Sequence, residues 1–187
     1  DQARSRIVMH GGLRDDLCCT TYTDTWEWDG AAWTQMAAAG PPHYPAVGMT
    51  LDAASGRAVL LAADASNHFR LWQWDGGTWL ILPGDPPQTR DATLVDNGRV
   101  TLIGRTGVQV FGVQVPDARL EAWTWNGSSW AGRDTSGPSS RAWMAAAFDG
   151  RRVILFGGAA QSLGGPAFAD AWLYDQAVRS GPWVTAT

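Results

Sequence analysis

The chain has 187 residues, a length typical of one domain, and 45% of its residues are hydrophobic while 17% are charged. This composition excludes a disordered chain, and no apolar run approaches the roughly 18 residues that a transmembrane helix needs. The formal net charge of −4 argues against nucleic-acid binding through a broad basic surface. Tryptophan is the unusual component, with 12 copies against 3 tyrosines. The tryptophan positions therefore carry most of the information about the fold.

A tryptophan-rich motif recurs along the chain. The first copy reads Trp26-Glu27-Trp28-Asp29-Gly30 and is followed by Trp33. The motif returns at 72–79 and 123–130, and a weaker copy begins at 172 and is followed by Trp183. The copies are about 50 residues apart, which indicates an array of structural repeats.

Each copy predicts part of a meander of short strands. Trp26 and Trp28 are two residues apart, so on a β-strand they point to one face. Asp29-Gly30 predicts a tight hairpin turn, and Trp33 lies on the returning strand. An apolar run precedes each copy, as in Val153-Ile154-Leu155-Phe156, and a run of small residues precedes the second, third and fourth apolar runs. The complete unit is therefore predicted to contain four strands of about five residues.

A four-stranded unit with this period is the signature of a β-propeller blade. The chain resembles the bacterial kelch-type propellers in its doublets Gly11-Gly12 and Gly157-Gly158, in Asp24–Gly30, and in Pro138 with Arg141 before an inner strand. The resemblance covers essentially the whole chain and implies one all-β domain of kelch-like blades. The second and third units lack the glycine doublet. The expected blades are approximately 1–40, 41–87, 88–136 and 137–187.

The phase of the repeat predicts an incomplete first blade. Residues 1–6 match the hairpin loops at 52–57 and 149–152, so the first unit lacks its innermost strand. The last unit is expected to end with an outer strand near Trp183-Val184-Thr185. A blade without its inner strand exposes a strand edge, which is a template for association. We therefore expect the chain to pair with another copy, or to complete its first blade with a segment outside this sequence.

The repeated tryptophans have two interpretations. Their faces could stack on sugar rings, but their regular spacing favours packing between neighbouring blades. Trp143 is the one tryptophan outside the pattern. It follows Arg141 near the start of an inner strand, close to the expected channel mouth.

Function in propellers concentrates on the face with the longer loops, here 13–23, 64–70, 105–119 and 159–169. Arginines at the start of inner strands have an alternative structural role, because kelch-like units commonly use them to bond loop carbonyls. Asn67 and Gln161 are further polar residues of these loops. The candidate ligand-binding residues on this face are Arg14, Asp15, Asp16, His68, Arg70, Arg90, Asp91, Arg105, Arg141 and Trp143.

The sequence gives little indication of a metal-binding site or of a redox-active cysteine pair. A disulfide between the adjacent Cys18 and Cys19 would be strained, so two loop thiols are expected. Asp15 and Asp16 beside these cysteines match no zinc or calcium spacing. His10 occupies the position of Phe156 in its unit, which indicates a core residue. No metal site and no cofactor are predicted.

The sequence therefore indicates a binding or interaction module that uses its long-loop face. The ligand would be a small molecule, a glycan or a protein. The first alternative is a hydrolase with a polar site at the channel mouth, and the second is a structural subunit of a larger oligomeric assembly. No catalytic residue is identified, and neither a nucleic-acid partner nor a membrane span is predicted. The sequence does not distinguish a cytoplasmic from an extracytoplasmic location.

Overall fold

The computed structural model describes residues 1–13, 21–42, 48–66, 68–106, 119–133, 137–160, 165–175 and 183–186. This part of the chain folds into fifteen β-strands and contains no helix. Antiparallel pairing joins the strands into one sheet of three and three sheets of four. The predicted all-β fold of propeller-type blades, with a first blade that lacks one strand, is therefore confirmed. None of the described segments forms a helix that could cross a lipid bilayer.

Each sheet is one blade, and its strands follow one another in chain order. Blade 1 contains β1 (Ile7–Leu13), β2 (Thr21–Trp28) and β3 (Trp33–Ala37). Blade 2 contains β4 (Gly48–Asp52), β5 (Arg57–Ala63), β6 (Phe69–Trp74) and β7 (Trp79–Ile81). Blade 3 contains β8 (Arg90–Asp96), β9 (Val100–Thr106), β10 (Arg119–Trp125) and β11 (Trp130–Arg133). Blade 4 contains β12 (Ala145–Phe148), β13 (Val153–Phe156), β14 (Ala171–Tyr174) and β15 (Trp183–Thr185).

The Asp-Gly pairs form the outer hairpin turns, as the sequence predicts. Gly30 has φ 102°, which glycine adopts without a side-chain clash. The Oδ1 atom of Asp29 accepts hydrogen bonds from the backbone N–H groups of Ala31 and Ala32 at 2.8 and 2.9 Å. These two bonds are the main cause that lowers the pKa of Asp29 from its ordinary value. The turn is therefore closed by its own carboxylate.

The described chain forms two compact units, residues 1–86 with 127–129, and residues 87–126 with 130–187. In the first unit the tryptophan face of blade 2 packs on blade 1. Trp74 is completely buried with Val8 and Ala58, and its ring centroid lies 5.3 Å from that of Trp79. The indole N–H of Trp79 donates to Oγ1 of Thr25 at 2.8 Å. Packing between neighbouring blades is therefore the role of this tryptophan pair.

His10 lies in the same contact, as its sequence position indicates. Its Nδ1 atom is 3.0 Å from Oγ1 of Thr25, and its Nε2 atom is 3.0 Å from the carbonyl oxygen of Pro41. Its ring meets the edge of Trp79 at a centroid distance of 5.1 Å. With its ring nitrogens bonded to Thr25 of blade 1 and to Pro41 in the segment after β3, His10 serves packing.

The second unit has its own core between blades 3 and 4. Tyr174 is completely buried, and its ring centroid lies 4.9 Å from that of Trp183. Blade 4 thus turns its aromatic face to blade 3, as blade 2 does to blade 1. The other buried members of this core are Val95, Ile103, Leu120, Ala122, Met144, Val153 and Leu155.

The corresponding face of blade 1 is different, because several of its large apolar side chains are exposed. Ile7 and Trp33 are 61% and 45% exposed, whereas Ala58, at the position of Ile7 in blade 2, is 5% exposed. Trp33 packs instead against Trp28 of its own blade, at a centroid distance of 5.7 Å. The expectation that every repeated indole packs between blades is therefore wrong for Trp33. The motif directs its aromatic rings to one face, but burial requires a second blade.

Candidate functional site

Arg141 is held at the start of the inner strand of blade 4. Its guanidinium donates from Nη1 to Oδ1 of Asp170 at 2.6 Å and from Nη2 to Oδ2 at 3.1 Å. It also donates to the carbonyl oxygens of Gly157 and Ser139, each at 3.1 Å. Its Cζ atom lies 4.3 Å from the ring centroid of Phe168, a cation–π distance. Only 1% of Arg141 is exposed, so its contacts match the structural alternative of bonding loop carbonyls.

The carboxylate of Asp170 is kept ionised by these contacts. The hydrogen bonds from Arg141 are the main cause that lowers the pKa of Asp170 to about 2. The indole N–H of Trp172 donates a further bond to Oδ2 at 2.6 Å. The sequence reasoning missed Asp170. The available signal was the Asp-x-Trp spacing that it shares with Asp24 and Trp26.

Trp143 follows two residues later and points outward. Its side chain is 66% exposed, and its backbone has φ 54°. This conformation costs a non-glycine residue about 1–3 kcal/mol and persists only where the neighbouring backbone holds it. That support is present, since Ala142 and Ala159 exchange two backbone hydrogen bonds of 2.8 Å and Arg141 is buried. The strained backbone at Trp143, held by these contacts, therefore exposes the large apolar indole to solvent.

Blade 3 has a strained residue at the position equivalent to Trp143. Asp91 has φ 48° at the start of inner strand β8, which neighbours β12 in this unit. Its Oδ2 atom accepts a hydrogen bond of 3.0 Å from Nη1 of Arg105. The exposed fractions of the two side chains are 17% for Asp91 and 12% for Arg105. An exposed indole therefore lies just before the inner strand of blade 4, and in blade 3 a partly exposed ion pair joins the start of β8 to the end of β9.

Arg90 lies in the same segment of blade 3. Its backbone pairs with that of Arg105 across β8 and β9. Its side chain lies outside the described part of the structure.

The candidate residues of blade 2 close a turn. Arg70 donates from Nε to Oδ2 of Asp64 at 3.0 Å and pairs through Nη1 with Asp85. The backbone N–H of His68 donates to Oδ1 of Asp64 at 3.1 Å, and this bond contributes most to lowering the pKa of Asp64. The side chain of His68 is exposed. Arg70 and His68 belong to the first compact unit. Asp91, Arg105, Arg141 and Trp143 belong to the second.

A cleft of about 420 Å³ lies in the first unit, beside Trp72 and Trp79. The indole N–H of Trp72 donates to the carbonyl oxygen of Ala62 at 3.3 Å, and that of Trp79 donates to Thr25. These indoles therefore have polar partners within the fold. Their contacts favour packing over the sugar-stacking interpretation of the repeated tryptophans.

Several candidate positions lie outside the described residues. Within the described part, no group of three or more histidine, cysteine or acidic side chains could hold a metal ion. The candidate positions that lie outside the described residues are Arg14, Asp15, Asp16, Cys18, Cys19, His43, Asn67 and Gln161.

Comparison with known proteins bears on the fold. No protein-family model matches the chain, and no curated protein matches it. A solved structure titled "Structure of YjhT" matches with a TM-score of 0.65 and 16% sequence identity. The match covers 98% of this chain and 65% of that chain, so this chain spans about two thirds of the length of its neighbour. At this identity the similarity supports the blade architecture and nothing finer.

Proposed function

We propose that the chain is a ligand-binding module of the kelch-type propeller class, with its site at the start of the inner strands of blades 3 and 4. Trp143 supplies a flat apolar surface there, and the pair of Asp91 with Arg105 supplies polar groups. The ligand class that fits is a molecule with an apolar ring face and hydroxyl groups, such as a glycan. The observation that carries the proposal is the exposed indole of Trp143 on a strained backbone.

The strain at Trp143 is a reason to look for function. An exposed tryptophan contributes little to a core, and a positive φ at a bulky residue is destabilising. Asp91 has the same backbone conformation at the equivalent position of blade 3. Strained residues of this kind concentrate at binding and active sites. Two strained residues at the start of neighbouring strands therefore favour a binding site over a coincidence of packing.

The polar groups at this end suit binding better than hydrolysis. Asp91 and Asp170 are each ion-paired with an arginine. A general acid or base must exchange a proton during the reaction, whereas the pKa of Asp170 is held near 2. Carboxylates paired in this way provide fixed hydrogen-bond acceptors. This favours a binding module over the hydrolase alternative.

The kelch-type assignment rests on local backbone as well as on sequence. Gly11 and Gly157, the first members of the two doublets, have φ 67° and 65°. Gly11-Gly12 lie near the end of β1, and Gly157-Gly158 directly follow β13, so both doublets are at the end of the strand that precedes the tryptophan motif. The same positive φ at Gly11 and Gly157 supports one repeat motif shared by blades 1 and 4.

A glycan array followed by titration tests the proposed site. We expect the wild-type protein to bind at least one glycan, and Trp143→Gly to weaken that binding at least tenfold. The melting temperature of Trp143→Gly should be unchanged or higher, because glycine adopts φ 54° without strain. The matched control is Trp33→Ala, which removes another exposed indole and should leave binding unchanged.

Four results would count against this site. One is a wild-type protein that binds no glycan or other ring-bearing small molecule. Another is binding that survives in Trp143→Gly, and the third is binding that Trp33→Ala abolishes. Loss of binding together with a large loss of stability in Trp143→Gly would make Trp143 a structural residue.

The exposed face of blade 1 favours a second role, that of a structural subunit. Ile7, Met9 and Trp33 are between 45% and 61% exposed on one sheet face. Apolar side chains clustered in this way are typical of interaction surfaces. Association through this face is compatible with ligand binding in the second unit, and its test is the association state in solution.

A further inference from the structure

A cleft of about 420 Å³ extends along β6 in the first compact unit. Asp64 lines it at the end where β6 begins, and Gly77 and Thr78 line it beyond the other end of the strand. Trp72 and Trp79 also line the cleft, and both are partly exposed. The cleft therefore offers a ligand two indole rings that it can reach and a carboxylate at one end.

The segment after β3 forms a further wall and fixes the ring of Trp79. Its contribution to the lining consists of small residues and prolines between positions 37 and 42. A Cβ atom at Gly40 would lie 2.8 Å from Cε1 of His10 and 3.0 Å from Cδ1 of Trp79, so the segment packs closely on both rings. The indole N–H of Trp79 also donates to Oγ1 of Thr25. A ring held in this way binds a ligand without the entropic cost of ordering the ring.

The hydrogen-bond donors among the lining side chains are used within the fold. The indole N–H of Trp72 donates to the carbonyl oxygen of Ala62 at 3.3 Å. Oγ1 of Thr78 donates to Oδ2 of Asp75 at 3.1 Å. The cleft therefore presents the faces of its indoles to a ligand, with their N–H groups turned to protein acceptors. This favours a ligand that is recognised through ring faces over a sugar or an anion.

The carboxylate of Asp64 adds a negative charge to the cleft. Its Oδ1 accepts hydrogen bonds from the backbone N–H groups of Ser66 and His68 at 2.8 and 3.1 Å, and its Oδ2 accepts one from Nε of Arg70 at 3.0 Å. These bonds lower the pKa of Asp64, so the group is ionised at neutral pH. Arg70 also pairs with Asp85. One guanidinium thus serves two carboxylates, and a negative charge remains beside the indole faces.

We propose that this cleft binds a quaternary ammonium group, held by the faces of Trp72 and Trp79 and by the charge of Asp64. The face of an indole ring carries partial negative charge and attracts a cation that lies within about 6 Å of the ring centroid. The volume of the cleft leaves room for a chain attached to the cation. The site is separate from the one proposed at Trp143, which belongs to the second unit.

A quaternary ammonium matches Asp64 better than a primary ammonium does. Both oxygens of Asp64 already accept hydrogen bonds from the protein. A primary ammonium has three N–H donors, and any of them that found no acceptor in the cleft would make transfer from water unfavourable. A quaternary ammonium has no N–H group and is recognised by its charge and by the ring faces alone. The cleft should therefore select fully methylated amines over primary amines.

Three small molecules with related chains test the proposal on the wild-type protein. Choline carries a quaternary ammonium, 3,3-dimethylbutan-1-ol is its neutral isostere, and ethanolamine carries a primary ammonium. We expect isothermal titration calorimetry to show saturable binding of choline, and binding at least tenfold weaker for each of the other two. In NMR spectra of the indole N–H groups, choline should shift the signal of Trp72, which is identified by its absence from Trp72→Phe.

Variants of the cleft separate the contribution of the ring from that of the charge. Trp72→Leu should weaken choline binding at least tenfold, because leucine keeps an apolar side chain but has no aromatic face. Asp64→Asn should weaken binding at least threefold, because the charge is lost. The matched control is Asp29→Asn, which replaces another carboxylate that accepts hydrogen bonds from its own turn and should leave binding unchanged. Trp143→Gly should also leave choline binding unchanged.

Several results would overturn the proposal. One is a wild-type protein that does not bind choline, and another is equal binding of choline and either analogue. Unchanged binding in both Trp72→Leu and Asp64→Asn would exclude this cleft, and so would loss of binding in Asp29→Asn or Trp143→Gly. If Trp72→Leu failed to fold, the three ligands and the Trp72 signal of the wild-type protein would still decide between these outcomes.

Discussion

The indole N–H of Trp74 donates to Oε1 of Glu27 at 2.5 Å, which joins the third strand of blade 2 to the middle strand of blade 1. Glu27 is buried, and the same oxygen accepts a hydrogen bond from Arg4, which also pairs with Asp1 at 2.8 Å. A buried carboxylate is tolerated when charged and hydrogen-bonding partners surround it. The repeated tryptophan thus contributes both apolar packing and a polar link between blades.

Removal of the Trp74 ring should be strongly destabilising. We expect Trp74→Ala to lower the free energy of unfolding by about 3–5 kcal/mol, as deletion of a buried aromatic residue does. The sequence alone predicts the same loss for Trp28→Ala, but Trp28 is only half-buried, so its loss should be smaller. Denaturant unfolding of both variants measures the difference. Equal losses would show that coverage by a second blade is not what stabilises Trp74.

The pair of Arg141 with Asp170 should make stability depend on pH in acid. The folded-state pKa of Asp170 is lowered to about 2 from an ordinary value of 3.8, so the ionised form is favoured by folding. Its contribution is present above about pH 4 and is lost as the pH falls toward 2. The stability difference between wild type and Asp170→Asn should therefore be constant at neutral pH and shrink below pH 4. A difference that is unchanged at pH 2 would contradict this assignment.

Gly104 should not tolerate a side chain. A Cβ atom there would lie 2.8 Å from Cβ of Ala92 and 3.0 Å from Cβ of Thr89, closer than packed carbon atoms allow. We expect Gly104→Ala to cost about 1–3 kcal/mol, as overpacking does. Gly77→Ala is the matched control, because only Oδ1 of Asp75 lies within 4 Å of its Cβ position. Similar melting temperatures for the two variants would refute the close approach.

The exposed face of blade 1 predicts association in solution. We expect light scattering at low micromolar concentration to give a mass above the 20.1 kDa of one chain. Ile7→Lys should shift the population toward monomer, because a charge would be buried in the apolar contact. A wild-type protein that remains a clean monomer would exclude this mode of self-association.

The adjacent cysteines lie outside the described residues, and their role stays a prediction. Replacement of both Cys18 and Cys19 by serine should leave the melting temperature nearly unaltered in oxidising buffer. A large loss would indicate a disulfide or a metal that holds the loop.

Local sequence was sufficient to predict the blades. Apolar alternation and the Asp-Gly turns depend on neighbours within a few residues, so Asp29 and Gly30 identify a hairpin without any knowledge of tertiary contacts. The outer strand at Trp183-Val184-Thr185 was predicted in this way and is confirmed by the sheet pairing. The three-stranded first blade followed instead from the phase of the repeat, and the described strands of blade 1 number three.

The candidate site was only partly visible in the sequence. Arg141 and Trp143 are two residues apart, and no local rule shows that one is buried on Asp170 while the other faces solvent. That difference depends on a positive φ at Trp143 and on a carboxylate 29 residues from Arg141 along the chain. Side-chain depth and distant ion pairs are set by tertiary packing.

By itself, the sequence determined the repeat, the strand order and the face to which each tryptophan points, because the two-residue period of a strand decides these locally. Only the tertiary structure decided which of those tryptophans are buried. Trp33 and Trp79 occupy the same position of the motif, yet Trp79 packs against His10 and Thr25 of blade 1, whereas Trp33 is 45% exposed. Burial requires a second sheet at packing distance, and no residue of the motif encodes that neighbour.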